Sequence, residues 1–351
     1  MPRLNAPRNL ILFLLAFGGL IGLRVGAAPA PTALDRLTVA ACSLPNHSLT
    51  AALEQIHALG FNGVELATFA DNEKTNAPDT YPWVVIEQLT PEDRARLKTL
   101  VGRFRYVSIH LPYGKKMRPL APDPAIREAS RRELRRSIDD GAFLGASLAN
   151  VHVLTEEGMA FETARPELIA LYRELGDYAA QRGMRLAIET TRPYRASEYL
   201  AIVAGVAHPN VGGCVDTGHT HFFQELAVKR ADRPAPDSIR AYNDLLIHLV
   251  TQLGPKLFHL HLDDVRRIDW REHFVPGQGI VDWPRLFGQL AEMRYSHLLV
   301  LELLYYVGAR DEGAGIMRAF TQRTPDGAPA AGLIAARKHL AGLIAHLPPT
   351  E

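Results

Sequence analysis

The feature that most constrains the fold is a regular alternation of short apolar runs with longer amphipathic runs, which continues to the end of the chain. The short runs have the length and composition of buried β-strands, and the longer runs have helical periodicity. The predicted strands cover residues 37–42, 63–66, 106–111, 149–153, 185–190, 211–216, 257–262 and 297–303. The predicted helices cover residues 49–59, 91–104, 124–144, 166–182, 197–206, 236–253, 283–293 and 330–347.

This order predicts an α/β fold with one closed sheet of parallel strands. Strands that are separated by helices pair in parallel, because the connection must cross back over the sheet. Eight such units predict a single (β/α)8 TIM barrel over residues 34–349. Gly60 and Gly145 are placed where left-handed caps end helices. The long connections 67–89 and 305–328 both follow strands, so we expect them at the C-terminal face, which carries the substrate loops of a barrel.

The first residues are expected to lie outside the barrel. Arg3 and Arg8 precede an apolar run over residues 10–23, which leads into small residues up to Ala28. This order is typical of a secretory signal peptide, here residues 1–27. The alternative is an uncleaved membrane anchor, but the run is shorter than the roughly 20 residues that span a bilayer. We therefore expect an exported protein, periplasmic or secreted, with no stable membrane span after cleavage.

Charge and cysteine content restrict the partners. The chain has 39 Lys and Arg against 38 Asp and Glu, a formal net charge of +1. No overall field would hold such a protein on nucleic acid or anionic lipid, so we expect a small, roughly neutral ligand and no nucleic-acid partner. The sequence leaves a homo-oligomer open.

The two cysteines are not expected to form a disulfide. Cys42 and Cys214 fall in predicted strands that are not neighbours, so we expect two free core thiols.

The seventh strand carries the sharpest functional signal. Over residues 257–263 polar and apolar residues alternate, with His259, His261 and Asp263 on one face and Phe258 among the apolar residues on the other. We expect the apolar face to pack on the helices and the polar face to point into the barrel. Ionisable groups inside a barrel are costly unless something binds them, and a metal ion is the usual solution.

Other strands end in residues of the same kind. Glu189, Asp216 and Glu302 end strands five, six and eight, and His219 follows in the turn after strand six. The C-terminal ends of all strands meet at one mouth of a barrel, so these side chains are expected to converge. Carboxylates with imidazoles make a mixed oxygen and nitrogen shell, which suits manganese, magnesium, cobalt or zinc.

Further histidines allow two interpretations. His110 and His152 end strands three and four. Taken singly, each is better explained as a core imidazole bonded to a backbone carbonyl; their joint position at strand ends favours a common site. Glu65, on strand two, either reaches the substrate or forms a salt bridge inside the barrel. His221 is expected to be exposed.

These residues resemble the sugar phosphate isomerase/epimerase family of the xylose isomerase-like barrel superfamily, which is related to the apurinic endonucleases. The resemblance covers nearly all of the chain after the signal segment, and its specificity lies in the order of short motifs. They are Leu-Gly-Phe-Asn-Gly-Val-Glu at 59–65, His-x-Pro-Tyr at 110–113, Ile-Glu at 188–189, Asp-x-Gly-His at 216–219, His-x-His-x-x-Asp at 259–264 and Gly-x-Gly-x-x-Asp-Trp at 277–283.

The ketose epimerase branch of this family implies one divalent metal ion and no organic cofactor. It implies four metal ligands: Glu189, Asp216, His261 and Glu302. It also implies that His219 and Arg267 contact the oxygens of a carbohydrate substrate.

The endonuclease branch implies additional metal ions beyond this one. Positions resembling His110, His152 and His273 bind further ions there, and this chain keeps a histidine at each. Arg271 stands where that branch has an aspartate ligand, which argues against a complete trinuclear zinc cluster. We therefore expect these three histidines to bind substrate.

The same resemblance implies isomerisation or epimerisation of a sugar, by proton transfer next to a carbonyl through an enediolate. Glu189 and Glu302 are the implied base and acid. One alternative is an exported lyase or hydrolase that acts on an oxidised (keto) glycoside, since phosphorylated sugars are scarce outside the cytoplasm. Another is a non-catalytic sugar-binding barrel, against which the intact glutamates count.

The signal segment yields the first testable prediction. The mature protein is expected to begin near Ala28, because the preceding residues have the charge and apolar pattern of a signal and not of a barrel element. N-terminal sequencing of protein recovered from the periplasm or medium measures this. Recovery of Met1 on soluble cytoplasmic protein would contradict it.

Overall fold

A computed structural model describes residues 32–45, 47–68, 86, 89–191, 195–228, 230–304 and 327–349. Within these residues, eight parallel strands close into one barrel, each paired with the next in chain order and the last with the first. This confirms the predicted fold. The strands are β1 (Leu37–Ala40), β2 (Gly63–Ala67), β3 (Tyr106–His110), β4 (Leu148–His152), β5 (Arg185–Glu189), β6 (Val211–Asp216), β7 (Leu257–Leu262) and β8 (Leu298–Leu301).

Helices surround the barrel and pack on it through one continuous apolar core. They are α1 (Leu49–Ala58), α2 (Pro91–Val101), α3 (Pro124–Leu144), α4 (Phe161–Ala180), α5 (Ala196–Val206), α6 (Pro236–Leu253), α7 (Trp283–Glu292) and α8 (Ala328–Ile344). None of the helices in the described ranges is long and apolar enough to cross a membrane. The predicted signal segment and most of the two long connections lie outside the described residues.

Local signals set most helix ends. Asp123 caps α3 by accepting from the amides of Ala125 and Ile126, and Gly145 ends it at a φ of +87°. The start of α4 was predicted wrongly at Pro166, because α4 begins at Phe161 and holds the proline in its second turn. A proline there removes one amide donor near the helix start, and Pro166 is exposed.

The barrel interior has its own small apolar cluster, formed by Leu148, Ala187, Cys214 and Phe258. The expectation that Phe258 faces the helices was therefore wrong. The pairing of β6 with β7 shifts register between Gly213 and Cys214, as in a β-bulge. A bulge breaks the period of two, so Phe258 and the next residue both turn inward.

The barrel closes at its N-terminal end around a buried arginine. Arg36 is fully buried and donates to the carbonyls of His297 (2.7 Å) and Pro348 (2.8 Å) and, more weakly, of Tyr295 (3.4 Å). One guanidinium thus links the start of β1 to the start of β8 and to the C-terminal residues.

Both cysteines are buried and free, as predicted.

Removing this guanidinium is expected to destabilise the barrel. Arg36→Met leaves buried carbonyls without a donor, so the free energy of unfolding is expected to fall by roughly 2–4 kcal/mol. Urea denaturation measures this. The matched control is Arg132→Met, whose side chain is 64% exposed with one ion pair at 3.9 Å, and which is expected to change stability by less than about 0.5 kcal/mol. Equal stability of the two variants would contradict the role of Arg36.

Candidate metal centre

Four side chains meet where strands β5 to β8 end. Glu189 and Asp216 are the last residues of β5 and β6, His261 lies one residue before the end of β7, and Glu302 directly follows β8. One ligand atom from each of the four lies within 4.8 Å of the others. All four side chains are buried. The structure therefore brings together the residues that the sequence suggested as metal ligands.

These ligand atoms lack ordinary partners. Among the described residues, Glu189 Oε1, Asp216 Oδ2, His261 Nδ1 and Glu302 Oε2 are buried but make no well-directed hydrogen bond. His261 Nδ1 lies 2.8 Å from Glu302 Oε2 and 3.7 Å from carboxylate oxygens of Glu189 and Asp216. Buried polar atoms without partners are costly, and a shared cation removes that cost. The donor set fits a divalent metal ion with three carboxylates and one imidazole.

Glu189 is the most heavily contacted member of the set. Its Oε2 accepts from Asn150 Nδ2 and lies 3.1 Å from His110 Nε2. Its Oε1 lies 3.0 Å from His219 Nδ1 and 3.5 Å from His152 Nε2. Three of the histidines that were expected to bind substrate, His110, His152 and His219, thus line one side of this carboxylate.

The protonation of His110 follows from its contacts. Its Nδ1 lies 2.8 Å from the carbonyl oxygen of Leu111, and a carbonyl only accepts, so Nδ1 carries a proton. Burial would lower the pKa of His110, but the hydrogen bond and charge of Glu189 outweigh it and raise the pKa above its usual value. His110 therefore donates to Glu189 as a cation when only protein groups are present.

His219 and His273 approach Asp216 from two loops. The His219 Nδ1 donates to the carbonyl of Thr190, and its amide donates to Asp216 Oδ1 at 2.7 Å. His273 Nδ1 donates to the carbonyl of Glu302, and the backbone of His273 adopts a left-handed φ of +60°. Such a conformation is strained in a residue with a side chain, so the surrounding loop holds it in place.

The electrostatics of the cluster show an excess of negative charge. Burial would lower the pKa of His219, but Asp216 and Glu189 raise it to about 10. Burial, with the charge of Asp216 next, raises the pKa of Asp263 well above its usual value. Protons are thus drawn to His219 and to the carboxyl of Asp263 in the absence of a cation, whereas burial lowers the pKa of His152 to about 3. A divalent ion meets the same demand.

Two aspartates after β7 hold the loops around the site. Asp263 Oδ1 accepts from the amide of His273 at 2.7 Å, and a Cβ on Gly218 would lie 2.2 Å from that oxygen, so only glycine fits there. Asp264 accepts from the amides of Gly277 and Val281 and from the indole of Trp283. The Gly-x-Gly-x-x-Asp-Trp motif is therefore a structural loop bound to a buried carboxylate.

Arg267 and His221 both lie outside the four-residue set. Arg267 is exposed, and its Nη2 donates to the carbonyl of Pro234 at 3.3 Å, away from the ligand cluster. Its contact with substrate stays a prediction. His221 is not exposed as expected, because its Nε2 pairs with Glu272 Oε2 at 3.1 Å and only 8% of its side chain is accessible.

Sequence reasoning missed several residues near the cluster. Asn150 lies on the inward face of β4 two residues before His152, so the period of two was a usable signal. Cys42 Sγ lies 3.8 Å from Glu302 Oε1, and the Tyr113 ring stacks on His152 at a centroid distance of 4.2 Å. Both also line a small cavity beside Glu302. The cavity is formed by Ala40, Cys42, Glu65, Ala67, His110, Tyr113 and Glu302.

Sequence comparison decides the family. The profile of the family described as xylose isomerase-like TIM barrel matches residues 53–323, which is most of the chain. This protein belongs to that family. The family resemblance drawn from the short motifs is confirmed. A sequence search against curated proteins gave no significant match.

Solved structures with the same fold include two sugar epimerases. D-psicose 3-epimerase with D-tagatose from Clostridium cellulolyticum H10 has a TM-score of 0.63 at 16% identity, over 88% of this chain and 98% of that chain. D-allulose 3-epimerase from Methylomonas sp. has a TM-score of 0.61 at 19% identity, over 92% of this chain and 100% of that chain. An IOLI protein with a binding zinc atom has a TM-score of 0.59 at 17% identity, over 88% and 97%.

The converging ligand atoms yield a prediction about metal content. Asp216→Ala and His261→Ala are expected to lose tight metal binding while staying folded, because both residues lie at the mouth and not in the stabilising floor of the barrel. Elemental analysis and circular dichroism of purified proteins measure the two properties. His221→Ala, whose imidazole pairs with Glu272 outside the four-residue set, is the control and is expected to keep its metal. Wild-type protein without metal after reconstitution would contradict the site.

Proposed function

We propose that the protein is a divalent-metal-dependent sugar isomerase or epimerase. The observation that carries this proposal is the set of four buried ligand atoms that converge without hydrogen bonds, two of which belong to glutamates. Proteins of the same fold that are named D-psicose and D-allulose 3-epimerases support a sugar as the substrate class.

Glu189, Asp216, His261 and Glu302 are the proposed ligands of one divalent ion. Manganese, magnesium, cobalt and zinc all suit this mixed shell, and a zinc atom in the similar IOLI protein supports the choice of class. A bound divalent ion supplies Lewis acidity, which polarises a carbonyl and makes the neighbouring C–H bond more acidic.

Glu189 and Glu302 are the proposed proton carriers. One carboxylate takes the proton from the carbon beside the carbonyl, which leaves an enediolate, and the other returns a proton. Their surroundings differ: Glu189 is contacted by Asn150 and four histidines, whereas Glu302 accepts from the thiol of Cys42 and faces His261 alone among the described imidazoles within 4 Å. The pKa of Glu189 is held well below its usual value because burial is outweighed by these imidazoles, so Glu189 stays ionised.

The histidines around the ligand set are the proposed substrate contacts. His110, His152, His219 and His273 offer ring nitrogens next to the carboxylates, where hydroxyl groups of a sugar need donors and acceptors. Tyr113 extends this surface by stacking on His152. Arg267 is proposed as a further contact, which requires its side chain to leave the carbonyl of Pro234.

The location and partners follow the sequence pattern. We propose that the barrel acts after export, on a small carbohydrate, without a nucleic-acid partner and with residues 1–27 removed. A lyase or hydrolase on an oxidised glycoside would use the same carboxylates and is distinguished by its products. A non-catalytic sugar-binding barrel would show binding without turnover.

The glutamates yield a prediction about turnover. Glu189→Gln and Glu302→Gln keep the side-chain size but remove the base, so turnover on a panel of free and oxidised sugars is expected to fall by about 10²–10⁴. In deuterated water, the wild type is expected to exchange the hydrogen on the carbon beside the carbonyl, and at least one variant is expected to lose that exchange. Mass spectrometry or NMR of recovered sugar measures it.

His221→Ala is the matched control and is expected to keep both turnover and exchange, because His221 pairs with Glu272 rather than with the ligand set. A wild-type enzyme that converts its sugar without solvent exchange would point to hydride transfer between adjacent carbons. That result would remove both glutamates from the acid–base role.

A further inference from the structure

A further carboxylate, outside the ligand set, lies directly beneath it. Glu65 on β2 is 1% exposed and is held between two histidines of β7. Its Oε1 lies 2.9 Å from His261 Nε2, and its Oε2 lies 2.7 Å from His259 Nε2. Ser108 on β3 donates its hydroxyl to the same Oε2 at 2.8 Å. One carboxylate from β2 thus bridges the barrel interior to β7.

The two ring nitrogens of His261 face different groups. Nδ1 faces the carboxylates of Glu302, Glu189 and Asp216, where it can act as a ligand only through a lone pair. Nε2 lies 2.9 Å from Glu65 Oε1, a close contact that does not have the direction of a hydrogen bond, and an ionised carboxylate can only accept. A charged carboxylate at this distance favours the tautomer with the proton on Nε2 and the lone pair on Nδ1.

Polar neighbours surround both oxygens of Glu65. Ser108 and His259 anchor one oxygen, which leaves the other for His261. His259 is not part of the four-residue ligand set, and its Nδ1 makes no hydrogen bond within the described residues.

We propose that Glu65 is a positioning residue that orients His261 and strengthens its bond to the metal, with His259 and Ser108 as supports. The inference rests on the proposed metal-dependent function. A carboxylate on the far nitrogen of a metal-bound histidine makes that histidine a better electron donor, and loss of such a partner typically weakens metal binding by about 10–100-fold. Glu65 itself need not touch metal or substrate.

The test compares two variants of the same buried cluster. Glu65→Gln removes the charge that faces His261, and His259→Gln removes the other imidazole on Glu65 but keeps the contact with His261. Metal dissociation constants for zinc and manganese are measured by competition with a chelator, and thermal unfolding is followed in parallel. Glu65→Gln is expected to weaken metal binding at least tenfold. His259→Gln is expected to weaken it less than about threefold, although both variants disturb a buried pair.

A spectroscopic measurement separates orientation from stability. The visible absorption of the cobalt-substituted protein reports the geometry and donor strength of the ligands. It is expected to shift in Glu65→Gln and to stay unchanged in His259→Gln. In zinc-loaded wild type with ¹⁵N-labelled histidine, one metal-bound ring is expected to show a slowly exchanging proton on Nε2. This last measurement needs no variant, so it decides the tautomer even if Glu65→Gln does not fold.

The outcomes are distinguishable from failure of the proposed function. Wild-type protein that binds no metal would overturn the function itself. Wild type that binds metal, with equal affinity in Glu65→Gln, would overturn only the positioning role. Equal losses in both variants without a spectral shift would show a purely structural pair, and an unprotonated Nε2 on the metal-bound ring would contradict the selected tautomer.

Discussion

The constraint on which the rest of the structure depends is the neutralisation of buried carboxylates at one end of a closed barrel. Glu65, Glu189, Asp216, Asp263 and Glu302 are all nearly or fully inaccessible to water. Charges in such an environment must be paired, protonated or bound to a cation. The imidazoles that surround them and the raised pKa of Asp263 are responses to that demand. The divalent ion that we propose at these ligand atoms would meet the same demand and leave the histidines free for substrate.

The apolar layer beneath the site makes this arrangement possible. Leu148, Ala187, Cys214 and Phe258 fill the barrel floor and separate the charged groups from the solvent at the N-terminal end. The polar layer of Glu65, Ser108 and His259 then lies between this floor and the ligand set. Stacking in layers keeps the effective dielectric constant low around the carboxylates, so each nearby charge acts strongly on its neighbours.

The loops at the mouth are fixed by hydrogen bonds rather than by apolar packing alone. Thr217 accepts from the amide of Asp263 and donates to its carbonyl oxygen, which joins the ends of β6 and β7. Asp264 accepts hydrogen bonds from Gly277 and Trp283 and so holds the turn that contains them. A site on strand ends with loops bound in this way is preorganised, so the proposed binding of metal and sugar would cost little rearrangement.

The sequence by itself determined the barrel and its strands, and through the family resemblance it proposed the four residues that the structure brings together. Helical and strand periodicity are local properties, and an inward glutamate such as Glu189 at a strand end is visible in a period of two. Only the tertiary structure decided the inward turn of Phe258, because a bulge depends on pairing between strands. It alone also decided that Glu65 contacts His261. The two residues are 196 positions apart in the chain, and the closure of the barrel, not a local pattern, brings them together. Contacts across a barrel arise from strand register and shear, which short sequence motifs do not encode.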